Sequence, residues 1–268
     1  MNEHLPDIFV FFYMNYDKSS EILVGTSGYS YQDWLGNFYP QFCPRADFLR
    51  FYSSIFRTVE IDSTYYRIPN PDTICRWRNT TPEGFVFTAK FPSSVTHEGD
   101  IETRLDNAGA FIAGIRLLEN KLGPLLLQFP YNFNPEDHFD ILKQLIENLP
   151  DDLKFAVEIR NRKWLGNSFY DLLRVRNIAL VQVDHPWMPR QSEFTADFAY
   201  VRFLGDRKKI PGDFSYIRED HHEDLKWWSH VLEEFSRSRG EVYAYFNNHY
   251  SGHSPTSALK LIELVGGI

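Results

Sequence analysis

The chain has 268 residues, 43% of them apolar and 16% aromatic, and a formal net charge of -8. That supplies enough apolar side chain for one sizeable core. The acidic balance argues against a general nucleic-acid-binding surface and leaves room only for a local basic pocket.

Near the start, Ile8–Met14 is apolar and β-prone but too short to span a bilayer. Glu3 and Asp7 precede it with no Lys or Arg, which argues against a secretory signal. Residues 1–20 read as an extension to the main fold, and residues 21–268 as one domain. No other run is apolar enough for a membrane span. Cys43 and Cys75 lack metal-type spacing and read as reduced thiols of a cytoplasmic protein, the alternative being one disulfide in a secreted one.

Glu21–Gly25 is a short apolar strand that runs into the turn Thr26-Ser27-Gly28-Tyr29. Pro44–Tyr52 reads as a helix with proline in its first turn. Thr58–Asp62 is the second strand. A helix capped by Asn70 follows through Trp77, and Phe85–Lys90 is the third strand. Leu105–Leu122 has helical periodicity and ends at Gly123-Pro124, a stop signal. Leu125–Phe129 is strand four, and Pro135–Leu149 an amphipathic helix. Lys154–Arg160 is strand five: Phe155, Val157 and Ile159 alternate with Ala156, Glu158 and Arg160. Phe169–Val175 is helical and Ile178–Asp184 is strand six. Phe198–Phe203 is strand seven, Asp220–Arg239 a long helix, Glu241–Phe246 strand eight and Ser254–Val265 the closing helix. Strands that alternate with helices pair in parallel through right-handed crossovers. Eight such units predict an α/β fold, a single (β/α)8 TIM-like barrel with parallel strands. An open doubly wound sheet is the competing architecture, but Gly25-Thr26-Ser27-Gly28 is too sparse for its phosphate turn.

In a barrel, alternate residues of each strand face the interior. With each strand's apolar set turned to the helices, the inward set is Glu60 and Asp62, Thr88 and Lys90, Gln128, Glu158 and Arg160, Gln182 and Asp184, Tyr200 and Arg202, Tyr245 and Asn247. These lie toward the C-terminal strand ends, where barrel enzymes place their chemistry. Unpaired burial of such charges costs several kcal/mol each, roughly, so they pair with one another or meet a ligand. A salt-bridge network that merely plugs the barrel is the bland alternative.

His97, in the loop after strand three, is a candidate acid or base, and equally an ordinary loop histidine. His185 and His249 follow strand ends and could join Glu60 and Glu158 around a divalent metal. Lys90, Arg160 and Arg202 compete for the same carboxylates, so no cofactor is expected and a metal is disfavoured. His221-His222 reads as surface. Trp34, Tyr29, Tyr31, Tyr65, Tyr66 and Trp164 follow strand ends and form a candidate aromatic rim, although loop packing accounts for at least half of them. No nucleophile elbow, Walker loop or zinc-protease helix is present in the sequence.

Several segments together resemble a known family: Gly25-Thr26-Ser27-Gly28-Tyr29, Phe38-Tyr39-Pro40, Glu60-Ile61-Asp62-Ser63-Thr64-Tyr65-Tyr66, Trp77 with Thr81-Pro82, and Lys90-Phe91-Pro92 with Thr96-His97. The likeness continues through Leu122–Pro130, Glu158-Ile159-Arg160 with Trp164, Asp184, Tyr200-Val201-Arg202 and Tyr245-Phe246-Asn247-Asn248. From about Glu21 onward the chain is similar to the DUF72 (YecE-like) family. The resemblance implies a TIM-like barrel and a soluble protein, usually bacterial or archaeal, and supplies no reaction. Two positions depart from the family pattern: Asp62, where Asn is usual, and Leu204-Gly205, where His-Gly is usual.

The leading expectation is an enzyme for a small polar, anionic or sugar-like ligand. Glu60, Lys90, His97, Glu158 and Asp184 are its candidate catalytic groups, with Glu60 or Glu158 transferring a proton and His97 as counterpart. Asp62, Tyr65, Gln128, Arg160, Trp164, Arg202, Asn247 and Asn248 are candidate ligand contacts, the arginines by bidentate grip. Glu158→Gln is then expected to fold normally and lose turnover. The alternatives are metal-assisted phosphodiester hydrolysis, by fold analogy only, and a non-catalytic ligand-binding module.

Overall fold

Three helices start where a side chain replaces a missing backbone partner: Asn70 accepts from Thr73 N–H, Asp100 from Thr103 N–H and Asn134 from Asp137 N–H, at 2.8 to 2.9 Å. Pro71 and Pro135 occupy first-turn positions, where a missing N–H costs nothing. The structure, a computed structural model, describes residues 21–190 and 193–266. The expectations for residues 1–20 fall outside the described residues.

In chain order the elements are β1 (Ile22–Thr26), α1 (Phe48–Ile55), β2 (Thr58–Ile61), α2 (Pro71–Thr80), β3 (Val86–Lys90), a short α3 (Ser93–Thr96), α4 (Ile101–Ile115) and β4 (Leu122–Gln128). Then come α5 (Pro135–Glu147), β5 (Phe155–Glu158), α6 (Asn167–Val175), β6 (Ala179–Leu180), β7 (Gln182–Asp184), β8 (Ala199–Phe203), α7 (His222–Ser238), β9 (Val242–Phe246) and α8 (Ser254–Gly266). Every ladder is parallel, and the strand orders are β2-β3-β4-β5-β6 and β1-β9-β8-β7. The two sheets join at both ends. β6 and β7 are one stretch broken only at Val181, whose N–H donates to Val157 O at 3.0 Å. At the other seam Gly28 N–H donates to Glu60 O at 2.8 Å. The Tyr52 hydroxyl also sits between β1 and β2, accepting from Thr26 N–H at 2.9 Å and donating to Thr58 O at 3.0 Å. A Cβ on Gly25 would stand 2.3 Å from Thr58 O, so glycine lets β1 approach β2. The strands therefore run round one ring with helices outside, as expected of a (β/α)8 barrel.

Side-chain alternation splits the core in two. Leu23, Leu126, Ala156, Val181, Val183, Phe198, Tyr200, Tyr243 and Tyr245 fill the ring. Their strand neighbours, among them Val24, Leu125, Leu127, Val157, Val201 and Phe246, pack against the helices. One boundary differs from expectation. Gly123 and Pro124 lie inside β4, and the helix before it ends at Ile115, giving way to a 3-10 turn in which Glu119 has φ +54°. A positive φ outside glycine stops a helix as firmly as a Gly-Pro pair. Cys75 is a free thiol, and Cys43 Sγ donates to Pro44 O at 3.8 Å. No helix among the described residues is long and apolar enough to cross a membrane.

Candidate functional site

β2, β5 and β8 deliver three charged side chains to the top of the ring. Arg202 sits between two carboxylates, its Nη2 2.7 Å from Glu60 Oε1 and its Nη1 2.5 Å from Glu158 Oε2. Glu60 also accepts from Ser27 Oγ at 2.6 Å and from the Tyr200 hydroxyl at 2.7 Å. Glu158 takes a further bond from Arg160 Nε at 2.9 Å. Glu60 and Glu158 are fully buried and Arg202 is 3% exposed. Burial alone would raise the Glu158 carboxyl, but Arg202 and Arg160 outweigh it and hold it down to about 2. It stays ionised near neutrality and is a poor proton acceptor. Glu60 and Glu158, the expected proton-transfer groups, are thus both buried and paired with Arg202.

Two charged groups lie at the edge of this core. Asp62, just past β2, is 3.4 Å from Arg202 Nη2, with its side chain 32% exposed. Burial and the neighbouring Glu60 raise its carboxyl to about 6, against the pull of Arg202 and Lys90. Lys90, at the end of β3, gives one hydrogen bond to Gln128 Oε1 at 2.7 Å and lies 4.0 Å above the Tyr65 ring. Gln128 Nε2 donates to Phe129 O at 2.9 Å, which turns the amide oxygen toward Lys90. Burial and Arg202 bring the Lys90 ammonium down to about 8. His97 stands 5.2 Å from the Tyr65 ring, and burial and Lys90 lower it to about 4. At pH 7 it is neutral, which suits it to accept a proton more than to give one.

Beside this edge a cleft of about 270 Å3 opens between the loops after β4, β5, β7, β8 and β9. Glu158, Arg160 and Asn247 form its inner end, and His185, Arg207 and Lys208 stand along its wall. Tyr131 and Trp187, 48% and 47% exposed, form its lip with ring centroids 5.7 Å apart. Neither aromatic was singled out from the sequence. The available signal was their place directly after Pro130 and Pro186, in loops that follow strands four and six. Leu204 adds an apolar side chain to the cleft lining.

Four residues expected inside the ring or at its mouth lie elsewhere. Asp184 and Gln182 point to the helix layer. Asp184 Oδ2 accepts the Trp228 indole N–H at 2.7 Å, and Gln182 Nε2 donates to Glu193 O at 2.8 Å. Strand six carries apolar residues on both faces, so its alternation gave no direction: Val181 and Val183 face the ring, Ile178 and Leu180 the helices. Trp164 is buried against Phe133, stacked at 5.3 Å, and its N–H reaches Phe133 O at 2.8 Å. Asn248 is buried below the mouth and caps α8, its Oδ1 accepting from Ser254 N–H at 3.1 Å and Ser254 Oγ at 2.7 Å. Trp34 is likewise buried, its N–H on Asn248 Oδ1 at 3.2 Å. His249 gives its Nδ1 to Ile210 O at 2.5 Å, and His221 pairs with Asp224 at 3.2 Å. Among the described residues no three of His, Cys, Asp and Glu gather as a metal set. Glu60, Asp62 and Glu158 converge on a guanidinium instead.

Comparison with known proteins agrees with this architecture. A DUF72 family protein from Thermotoga maritima superposes with a TM-score of 0.77 at 31% identity, covering 91% of this chain and 98% of its own. The UPF0759 protein YunF of Bacillus subtilis is 26% identical over 269 residues, spanning 91% of this chain and 94% of that protein. A D-psicose 3-epimerase solved with D-fructose shares the fold alone, at a TM-score of 0.50 and 11% identity over 91% of this chain and 96% of that one. The model for the protein family of unknown function DUF72 matches residues 23–267, so the chain belongs to the DUF72 family.

Proposed function

We propose that this chain is an enzyme for a small polar, anionic or sugar-like molecule, with acid/base chemistry at the C-terminal face of the barrel. Asp62 and Lys90 exchange the protons, and Arg160 and Asn247 orient the ligand. The observation that carries this reading is Lys90. The residue is only 9% exposed, yet among the described residues it has one neutral acceptor and no carboxylate within ion-pair distance. A cation so placed costs several kcal/mol, roughly, until something negative or strongly polar reaches it. Asp62 and Lys90 also hold their protons loosely on either side of neutrality, at about 6 and about 8, as an acid/base pair working near pH 7 requires.

The test is a panel of sugars, sugar acids and keto acids, read by thermal shift for binding and by NMR for turnover. The expected result is a hit whose shift is lost in Lys90→Met, while Asp62→Asn still binds it and no longer converts it. If both variants bind and convert like the unchanged protein, the reading is wrong. Binding without turnover of any compound would make the chain a binding module.

A further inference from the structure

Resting on the reading above, that this face is the ligand site, we propose that the outer cleft seats a monosaccharide-sized phosphorylated sugar, its phosphate on Arg207 and Lys208 and its ring against Tyr131 and Trp187. The basic loop is built rather than loose. Gly205 has φ +64°, and a Cβ there would lie 2.1 Å from His249 O, so only glycine lets the loop pack on the turn after β9. Asp206 then folds the loop over itself, its Oδ1 accepting from Lys208 N–H at 2.8 Å and its carbonyl from Lys209 N–H at 3.0 Å. Ile210, buried, anchors the far end. Between these anchors the side chains of Arg207 and Lys208 stand exposed at the cleft wall, with no ion pair among the described residues. Lys209 turns away toward Glu219, at 3.7 Å.

On a chain of net charge -8, two adjacent free cations beside Arg160 mark a local positive lip. The carboxylates in the cleft are outnumbered rather than absent: Glu158 is paired with Arg202 and Arg160, and Asp206 stands against both Arg207 and Lys208. The loop after the next-to-last barrel strand is also a recurrent phosphate seat in this fold. The exposed faces of Tyr131 and Trp187 offer stacking to the C–H face of a sugar. His185 accepts Trp187 N–H on Nδ1 at 3.1 Å, which leaves its Nε2–H as a donor for a ring hydroxyl. The size decides the rest. At about 270 Å3 the cleft falls below the ~300–1,000 Å3 of pockets for larger ligands, so a sugar monophosphate suits it and a dinucleotide does not.

The experiment titrates the full chain, at low salt, with triose, pentose and hexose monophosphates. Each is set against its unphosphorylated partner, and glucuronate and inorganic phosphate are run alongside. At least one monophosphate should bind tenfold or more tighter than its free sugar and than inorganic phosphate. The Arg207→Ala/Lys208→Ala double variant should remove that gain and leave the free sugar unchanged. Trp187→Ala should weaken sugar and sugar phosphate alike. No gain from phosphate across the panel, a glucuronate that binds as tightly as the best monophosphate, or a double variant that binds like the unchanged chain, would each overturn the proposal. Failure of the enzyme reading looks different: the phosphate-dependent gain persists, but no compound is turned over. Turnover of unphosphorylated compounds with no phosphate preference is the reverse, and sinks only the phosphate seat.

Discussion

Two sets of charges share one barrel mouth and differ in every physical respect. Glu60, Glu158 and Arg202 are shut from solvent and satisfy one another. Asp62, Lys90 and Arg160 lie at the edge of that set, Asp62 and Arg160 partly exposed and Lys90 buried, with donors and acceptors left over. Glu158 is held ionised by its arginines, whereas Asp62 and Lys90 are shifted toward neutrality. The lesson is that charge at the strand ends of this barrel divides in two: the inner groups satisfy one another, and the outer ones keep bonding capacity that, on the proposed reading, serves a ligand. Substitutions ranked by folding cost test that division.

The largest effect is expected at Arg202. Arg202→Met keeps the length and leaves two carboxylates buried without a partner. Breaking a buried pair in this way costs about 3–5 kcal/mol. Urea unfolding should show a midpoint far below that of the unchanged protein, or no folded baseline. A small shift would mean that the inner set is as dispensable as the outer one.

Glu158→Gln comes next, the change that the sequence alone expects to leave folding intact. Gln keeps the shape and loses the charge that faces both arginines, while Glu60 still holds Arg202. A loss of about 2 kcal/mol is expected, on the scale of hydrogen bonds to charged groups, ~1.5–3 kcal/mol. The sign with pH follows from the depressed carboxyl. Its contribution is complete above the ordinary range of ~4.3 and disappears as pH falls from there through about 2. Acid unfolding of Glu158→Gln should therefore show less dependence on pH in that window than the unchanged protein.

Asp184→Asn should cost less than about 1 kcal/mol and leave ligand binding unchanged. Asparagine still accepts the Trp228 N–H, and only the 3.4 Å pairing with Arg190 is given up. Thermal shift with and without ligand reads both quantities. The same residue shows what the sequence could and could not say. The alternation of strands and helices was legible from apolar periodicity, and caps such as Asn70 fell where their chemistry demands. Glu60, Glu158 and Arg202 were legible as inward because the other faces of those strands are plainly apolar. Strand six offers no such contrast, so Asp184 was assigned to the wrong side. Depth was not legible either. Glu60 is closed by Tyr200 and Arg202, some 140 residues further along the chain, and no local pattern reports that meeting. Tyr131 and Trp187 sit in loops without periodicity, so only the assembled cleft singles them out.

The smallest folding cost is expected where function is placed. Asp62 is raised to about 6, so its ionised form is less favourable in the folded chain than in the unfolded one. Its contribution to stability is present below the ordinary carboxyl range and lost as pH rises through about 6. Lys90, brought down to about 8, disfavours the fold while protonated, and that penalty is relieved as pH rises from about 8 toward ~10.4. At pH 7 both Asp62→Asn and Lys90→Met should therefore melt no lower than the unchanged protein, a signature that residues kept for stability do not give. Turnover, once a substrate is found, should follow a bell with limbs near 6 and 8. Asp62→Asn should cost ~10²–10⁴-fold in rate, and the limb near 6 should vanish from what activity remains. A variant at either position that melts well below the unchanged protein would place it with the inner set, and the two sets would no longer divide frame from chemistry.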